Sequence, residues 1–117
     1  MADVTVKRID DFESYGGRFF YAGKGLGVSS FGINVSRLPG NWADYPDHDH
    51  AEEGQEEVYV ILEGTATLTA DDESWELEPG MLARVGPEQK RKFVPGEWGV
   101  TLLSIGAIPG EAFEPKS

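Results

Sequence analysis

The sequence from residue 48 to residue 64, HDHAEEGQEEVYVILEG, decides the fold. It contains both histidines of the chain, His48 and His50, with a single residue between them. Residues i and i+2 of an extended backbone project to the same face, so the two imidazoles can converge on one point. Glu57 opens the hydrophobic run that follows and can bring a carboxylate to that point. Two imidazoles and one carboxylate suit a non-haem Fe(II) site, and the same ligands also suit Zn, Mn or Ni.

Short runs rich in β-branched and aromatic residues extend from this stretch in both directions, separated by Gly, Pro, Asn and Asp. A helical turn is predicted at residues 10–14, before Gly16-Gly17. In one of the runs, Phe31, Ile33 and Val35 form an apolar face. Together the runs predict an all-β sandwich or closed barrel. The predicted strands cover residues 18–22, 28–37, 57–62, 65–70, 74–77, 81–85, 90–94 and 99–105.

The composition fits one small domain and limits the classes of partner. The chain has 117 residues, of which 39% are hydrophobic, enough for a core of its own. We predict a single domain over residues 1–117, with a core of about 18–106 and a C-terminal arm at 107–117, whose Phe113 can dock on a neighbour. The formal net charge of −11 repels phosphate backbones and anionic lipids. Nucleic acid and membranes are therefore not expected partners.

Cysteine is absent from the sequence, which excludes disulfides, thiolate metal sites and a cysteine nucleophile. The N-terminal residues lack the apolar run of a signal peptide. No stretch approaches the ~20 apolar residues that a membrane span needs. We therefore expect a cytoplasmic protein.

The spacing of residues around the histidines resembles the first sequence motif of the cupin superfamily. In that motif an HxH pair precedes a Glu that is followed by six residues and a Gly, as Glu57 is followed here by Gly64. A second motif is similar to the stretch from Gly80 to Gly86-Pro87. The resemblance covers about residues 30–105. It implies a cupin-like double-stranded β-helix, a jelly-roll barrel, with one site inside the barrel.

The second motif departs from the family at one position. Counting from Gly80, the histidine that completes the metal site of the family is replaced by Arg91. A guanidinium stays protonated and has no free acceptor, so it does not ligate a metal. An inward-pointing Arg91 would favour an ion pair with Glu57 or a bound anion.

Three interpretations of the site follow from these residues. In the first, the protein is an oxygenase or isomerase that holds one divalent ion (Fe, Mn, Ni or Zn) on His48, His50 and Glu57 and acts on a small polar or anionic compound. In the second, it is a non-catalytic module that binds a small anion without a metal. Arg91 is then the anchor of the ligand-binding site, and Tyr59, Phe93 and Trp42 shape the pocket. In the third, the histidines belong to a loop without function and Arg91 only satisfies Glu57.

One strand is apolar on both of its faces. Val58, Val60 and Leu62 alternate with Glu57, Tyr59 and Ile61, and a strand buried on both faces needs a second cover. In cupins a second subunit often supplies this cover, so the resemblance implies a homodimer. Another sheet or the arm at residues 109–115 is the alternative cover.

Overall fold

A computed structural model describes residues 2–112 of the chain. Two short helical elements lie in this range, a 3-10 turn at Ile9–Asp11 and helix α1 at Ala22–Leu26. No helix in the described range is long and apolar enough to cross a membrane. Phe113 and the rest of the predicted arm beyond residue 112 lie outside the described residues. The seven strands are β1 (Ser14–Tyr15), β2 (Phe19–Phe20), β3 (Gly32–Leu38), β4 (Glu56–Ala70), β5 (Glu73–Leu77), β6 (Leu82–Val85) and β7 (Lys92–Ala107).

The predicted all-β fold is confirmed, and its spine is the antiparallel pair of β4 and β7. Beyond β7 the sheet continues with β3, β2 and β1. On its other side, β4 pairs with β6 near its start and with β5 near its end. The two long strands bend, so the sheet folds into a barrel around one main core. That core consists of Leu38, Tyr45, Tyr59, Ile61, Ala66, Leu68, Leu77, Val85, Phe93, Val100 and Leu102.

Two glycines allow β4 and β7 to bend without a break. The sequence predicted separate strands on either side of Gly64 and of residues 95–98, but each pair is one continuous strand. Gly64 has a positive φ of 76°, and a Cβ at this position would lie 2.1 Å from the carbonyl oxygen of Gly99. Gly99 also has a positive φ, and its Cβ would lie 2.6 Å from the carbonyl oxygen of Leu38. The motif glycine therefore permits a close backbone crossing that any side chain would prevent.

The N-terminal segment differs from its prediction. The helical turn expected at residues 10–14 is a 3-10 turn at Ile9–Asp11, and Ala22, expected in a strand, begins α1. The sequence of α1, AGKGL, contains two glycines and gives no helix signal. Its position follows from packing, because Phe20 and Ala22 form a second buried cluster with Val35.

This second cluster decides which face of β3 points into the barrel. Val35 packs outward against the N-terminal segment. Ser36 and Leu38 occupy the opposite face, in register with Leu102 and Val100 of β7. The apolar face predicted from Ile33 and Val35 therefore lies on the outside of the barrel, beneath a local cover. Asn34 and Ser36 of β3 line a cavity on the inner side, whereas Arg37 lies over Phe20 on the outer side.

The N-terminal segment covers the outer face of the sheet at Val35 of β3 and Leu103 of β7, and, among the described residues, its cluster includes none of β4. On the face of β4, by contrast, Leu62 is 47% exposed, and Leu82 on the neighbouring β6 is 67% exposed. Val58 and Val60 are partly buried. The homodimer that would cover this face of β4 stays a prediction.

We expect Gly64→Ala and Gly99→Ala each to lower the free energy of unfolding by at least about 2 kcal/mol, because both add steric overlap to an unfavourable φ. Gly27→Ala is the matched control. Gly27 also has a positive φ, but nothing lies within 4 Å of its added Cβ, so about 1 kcal/mol is expected. Urea titration followed by tryptophan fluorescence measures all three. Equal losses would mean that the close crossing carries no cost.

The homodimer is expected to form across the face of Val58, Val60 and Leu62. Light scattering at micromolar concentration should then give twice the mass of the chain, and Leu82→Asp should shift the protein to monomer by placing a charge in the interface. Trp98→Asp, at an exposed side chain outside this face, serves as the control. A wild-type protein that is monomeric throughout would contradict this expectation.

Candidate functional site

The structure brings His48, His50 and Glu57 together on one side of the cavity. Their ligand atoms all lie within 4.8 Å of one another, as the HxH spacing predicted. The backbone holds them there, since His48 and Arg91 form a bridge with N–O distances of 3.0 and 2.8 Å. The amide of His50 donates to the carbonyl of Pro87 at 2.7 Å. These bonds fix the HxH segment beside Arg91, the residue that precedes β7.

The hydrogen bonds of the histidines set the direction of their lone pairs. His48 Nδ1 lies 3.1 Å from the carbonyl oxygen of Pro46 and must donate, because a carbonyl only accepts. The Nε2 of His48 is therefore the atom with a free lone pair. His50 Nδ1 pairs with the carboxylate of Glu53, and its Nε2 lies 2.9 Å from Glu57 Oε1. A carboxylate behind a ligating imidazole is a common arrangement in metal sites.

The carboxylate of Glu57 is anchored through one of its two oxygens. Its Oε1 accepts a hydrogen bond from the Tyr59 hydroxyl at 2.5 Å and one from Arg91 Nη2 at 2.8 Å. The same oxygen faces His50 Nε2. Among the described residues, these donors meet at Oε1 and not at Oε2.

Arg91 is 0% exposed, and its hydrogen bonds go to protein acceptors. Besides its bond to Glu57, Nε donates to the Tyr59 hydroxyl at 3.1 Å and Nη1 donates to the carbonyl of Gln89 at 2.8 Å. Burial lowers the pKa of Arg91, but its interactions with Tyr59 and Glu57 outweigh that effect and raise it above the ordinary value. The inward-pointing arginine expected from the sequence is present, and it pairs with Glu57.

The site opens into a cavity of about 360 Å³, at the lower end of the range for small-molecule sites. All four tyrosines of the chain line it. Of the ligand-binding residues predicted from the sequence, Tyr59 is among them. The others lie elsewhere, since Phe93 is fully buried behind Tyr45 and Tyr59, and Trp42 packs against Phe19 and beneath the guanidinium of Arg18.

Several residues of the cavity wall were missed in the sequence. Tyr45 lies 5.7 Å from the ring of His48, centroid to centroid. Asn34 and Ser36 come from β3 and Ser104 comes from β7. In the sequence, Asn34, Ser36 and Ser104 look like the solvent-facing polar positions of strands that alternate apolar and polar residues. Their only shared signal is the clustering of polar residues at corresponding register positions, which requires knowledge of the strand pairing.

One glycine makes room for Glu57. Gly106 lies opposite Glu57 in the pairing of β4 and β7, and a Cβ there would come within 3.1 Å of Glu57 Cγ. Its Cβ would also lie 2.9 Å from Cδ of Gln55. Glycine is therefore favoured at position 106 because a side chain there would crowd Glu57 and Gln55. The φ angle of Gly106 is not positive, so backbone conformation is not the reason.

The two buried tyrosines remain protonated at neutral pH. Burial raises the pKa of Tyr45 well above its ordinary value, and the negative charge of Glu57 adds to this effect while Arg91 opposes it. Burial likewise raises the pKa of Tyr59, reinforced by Glu57 and Tyr45. Both hydroxyls therefore keep their protons, and the Tyr59 hydroxyl uses its proton in the hydrogen bond to Glu57.

The comparison with protein families agrees with this geometry. Residues 34–105, more than half of the chain, match the family described as Cupin domain. The chain is a cupin. A search of curated proteins gives no match.

Several solved structures are similar to this chain over most of its length. A cupin protein from Bacteroides fragilis superposes with a TM-score of 0.75 at 22% identity, covering 100% of this chain and 93% of that one. A sugar phosphate isomerase of the cupin superfamily from Silicibacter pomeroyi gives 0.68 at 28% identity, covering 79% and 60%. A DMSP lyase from Ruegeria pomeroyi gives 0.61 at 22% identity, covering 72% and 41%.

The donor set of this cupin fits a divalent ion. Bonds of about 2.0–2.2 Å to a shared ion place two ligand atoms at most about 4.4 Å apart, so small side-chain rotations suffice to close the set. Two imidazole nitrogens and one carboxylate suit Fe, Mn, Ni or Zn. Three protein ligands also leave coordination positions for water or substrate.

We expect Arg91→His to bind metal more tightly than the wild-type protein, by at least about tenfold, because it replaces a fixed positive charge with a neutral donor atom. Arg91→Met is the control, since it removes the charge and supplies only a weak ligand. Calorimetric titration with Mn, Fe, Ni and Zn measures the affinities, and urea unfolding shows that each variant is folded. Equal affinity of the wild-type and histidine proteins would contradict the expectation.

Proposed function

We propose that this cupin is a metal-dependent enzyme that acts on a small polar compound. In this proposal His48, His50 and Glu57 hold one divalent ion, and the compound lies in the cavity beside them. The observation that carries the proposal is the convergence of these three ligands at the wall of a cavity of suitable size. A ligand set without such a cavity would favour a structural ion.

The reaction class that we propose is isomerisation through proton transfer. A divalent ion held by His48, His50 and Glu57 would supply Lewis-acid chemistry toward a substrate carbonyl or hydroxyl. The Tyr45 hydroxyl lines the cavity and, within residues 2–112, makes no hydrogen bond to the protein, so it is available to a substrate oxygen. The Tyr59 hydroxyl is instead engaged with Glu57 and Arg91. Tyr45 is thus the better candidate for a hydrogen-bond donor to a substrate oxygen in the cavity.

The names of two similar structures support this class. One similar structure is named a sugar phosphate isomerase of the cupin superfamily and another a DMSP lyase. Both names describe reactions in which bonds at carbon are rearranged or broken without an external oxidant. They favour isomerase chemistry over oxygenase chemistry as the proposal for this chain.

An Fe(II) oxygenase is the second candidate, and one observation favours it. Two histidines and one carboxylate form the ligand set of many non-haem iron oxygenases. Consumption of dissolved oxygen by the Fe(II)-loaded protein, dependent on an added organic compound, would favour this candidate over an isomerase.

The metal-free binding module receives less support from the geometry. That interpretation requires Arg91 to anchor the anion, but its guanidinium is fully buried and donates to Glu57, Tyr59 and main-chain carbonyls. An anion in the cavity would meet Glu57 first.

The metal can be tested by elemental analysis of protein purified without an affinity tag or added nickel. We expect a divalent metal at close to stoichiometric amount in the wild-type protein. His50→Ala and Glu57→Gln should reduce the affinity for Mn²⁺ by more than about 100-fold, because each removes a direct ligand. Glu63→Gln is the matched control, since Glu63 is an exposed acid on the same strand. Full metal retention in His50→Ala would refute the proposed site.

A further inference from the structure

A second groove lies away from the candidate metal ligands. Its volume is about 690 Å³, and no described residue lines both this groove and the cavity beside the histidines. Glu63 of β4 lies in its wall, six residues along the strand from Glu57, which corresponds to about 20 Å of extended chain. Two arginines, Arg18 and Arg37, also line the groove. It is therefore a separate candidate for a binding site.

A tight turn places Arg18 at this groove. Gly16 and Gly17 have positive φ angles of 63° and 70°, and the amide of Arg18 donates to the carbonyl of Tyr15 at 3.1 Å. These are the features of a type I′ turn, which joins two antiparallel strands and favours glycine at both central positions. The turn between β1 and β2 thus fixes the backbone of Arg18.

The side chain of Arg18 has no partner of opposite charge. Among the described residues, its Nε is the one buried side-chain nitrogen or oxygen without a hydrogen-bond partner. The guanidinium forms no ion pair within residues 2–112, and its neighbour is the ring of Trp42, 5.1 Å from Cζ. Its Nη1 and Nη2 also have no protein acceptor there, but they are not buried. Because guanidinium donors in such a setting are normally paired, Arg18 lacks an anion.

Arg37 lies beside Arg18 and increases the need for that anion. The amide of Arg37 donates to the carbonyl of Arg18 at 2.7 Å, so the two residues lie opposite each other on β3 and at the start of β2. Like charges at opposed strand positions are destabilising. Arg37 is compensated, since it forms an ion pair with Asp10 and lies over the ring of Phe20. Arg18 has no such compensation in the described part of the chain, although the sequence has 21 acids and 10 bases.

The charges around the groove favour a ligand with one negative charge. Arg37 is already neutralised by Asp10, so Arg18 alone is available to a ligand. Glu63 is an exposed acid in the groove wall and repels a second negative charge. The net charge of −11 acts in the same direction. A carboxylate therefore fits better than a phosphate, and its two oxygens match the fork of a guanidinium.

Trp98 supplies an aromatic surface in the same groove. Its side chain is 89% exposed, the highest value among the large hydrophobic residues of the described chain. A single exposed tryptophan is common on protein surfaces, but this one lines a groove that also contains an unpaired arginine. An aromatic ring on the ligand would remove apolar area of Trp98 from water and stack on the indole.

We propose that this groove binds a small aromatic carboxylate. The carboxylate accepts hydrogen bonds from the Nη groups of Arg18, and the ring of the compound packs on Trp98. This binding involves none of the candidate metal ligands and does not rest on the proposed function.

The experiment compares two acids with their neutral amides, benzoate with benzamide and phenylacetate with phenylacetamide. NMR titration of the ¹⁵N-labelled protein should show saturable shifts of the Arg18 Nε–H and Trp98 indole N–H signals. At least one acid should bind about tenfold or more tightly than its amide, because only the acid forms charge-assisted hydrogen bonds. Acetate should bind about threefold or more weakly than benzoate, because it has no ring. Absence of saturable shifts with both acids, equal binding of acids and amides, or tighter binding of inorganic phosphate overturns the proposal.

Two variants test the residues directly. Arg18→Met should weaken binding of the acids by about tenfold or more, since it removes the charged donors. Trp98→Ala should weaken binding of benzoate and leave that of acetate unchanged. Arg84→Met, at an exposed arginine on β6, is the matched control and should bind as the wild-type protein does. Unchanged binding of the acids by Arg18→Met overturns the proposal.

The urea midpoint of Arg18→Met shows whether Arg18 serves only to pack on Trp42. Methionine keeps an unbranched side chain and removes the unpaired Nε, so the midpoint should stay the same or rise. A purely structural arginine predicts a lower midpoint together with unchanged binding, and that result overturns the proposal. If Arg18→Met does not fold, the comparison of acids with amides on the wild-type protein decides.

The Glu57→Gln variant separates this proposal from the proposed function. It should bind the aromatic acids as tightly as the wild-type protein, whatever its affinity for Mn²⁺. A wild-type protein that binds the acids but no metal refutes the proposed function alone. A wild-type protein that binds Mn²⁺ but neither acid refutes the groove alone.

Discussion

The ion pair of Arg91 and Glu57 is the interaction on which the site and the adjoining strands depend. A guanidinium with no exposure is tolerated only when an opposite charge and enough acceptors lie beside it. Glu57 on β4 supplies the charge, and Tyr59 together with two main-chain carbonyls supplies the other acceptors. Removing one member of such a pair costs about 3–5 kcal/mol, because the other charge is left buried and unpaired. The pair thus fixes the start of β4 against the start of β7.

The same pair couples the fold to the chemistry of the site. The backbone of Arg91 also carries the bridge to His48, so the residue that orients Glu57 through its side chain orients the histidine segment through its main chain. A positive charge next to a ligating carboxylate lowers the attraction of that carboxylate for a cation. Arg91 therefore orients the three candidate ligands, and its charge also makes their meeting point less attractive to a cation than it would be without that charge.

Polar residues of β3 can line the inside of this barrel because its apolar residues are buried on the outside. The N-terminal segment covers Val35 and Leu103 on the outer surface, which allows the apolar side of β3 to be buried there. The inner side is then free to carry Asn34 and Ser36 toward the cavity. If the outer face of β3 were exposed to solvent, the apolar residues of the strand would have to point inward, at the positions of Asn34 and Ser36.

The sequence by itself determined the strand-rich fold, the shared position of His48, His50 and Glu57, and the inward Arg91, because these follow from local alternation and motif spacing. It did not distinguish bends from breaks at Gly64 and Gly99, since both are consistent with a glycine between two apolar runs. Only the tertiary structure decided that Ser36 and Tyr45 line the cavity and that Arg91 is sealed behind Glu57. Alternation with a period of two separates the faces of a strand, but which face is inside depends on what packs against it from elsewhere in the chain.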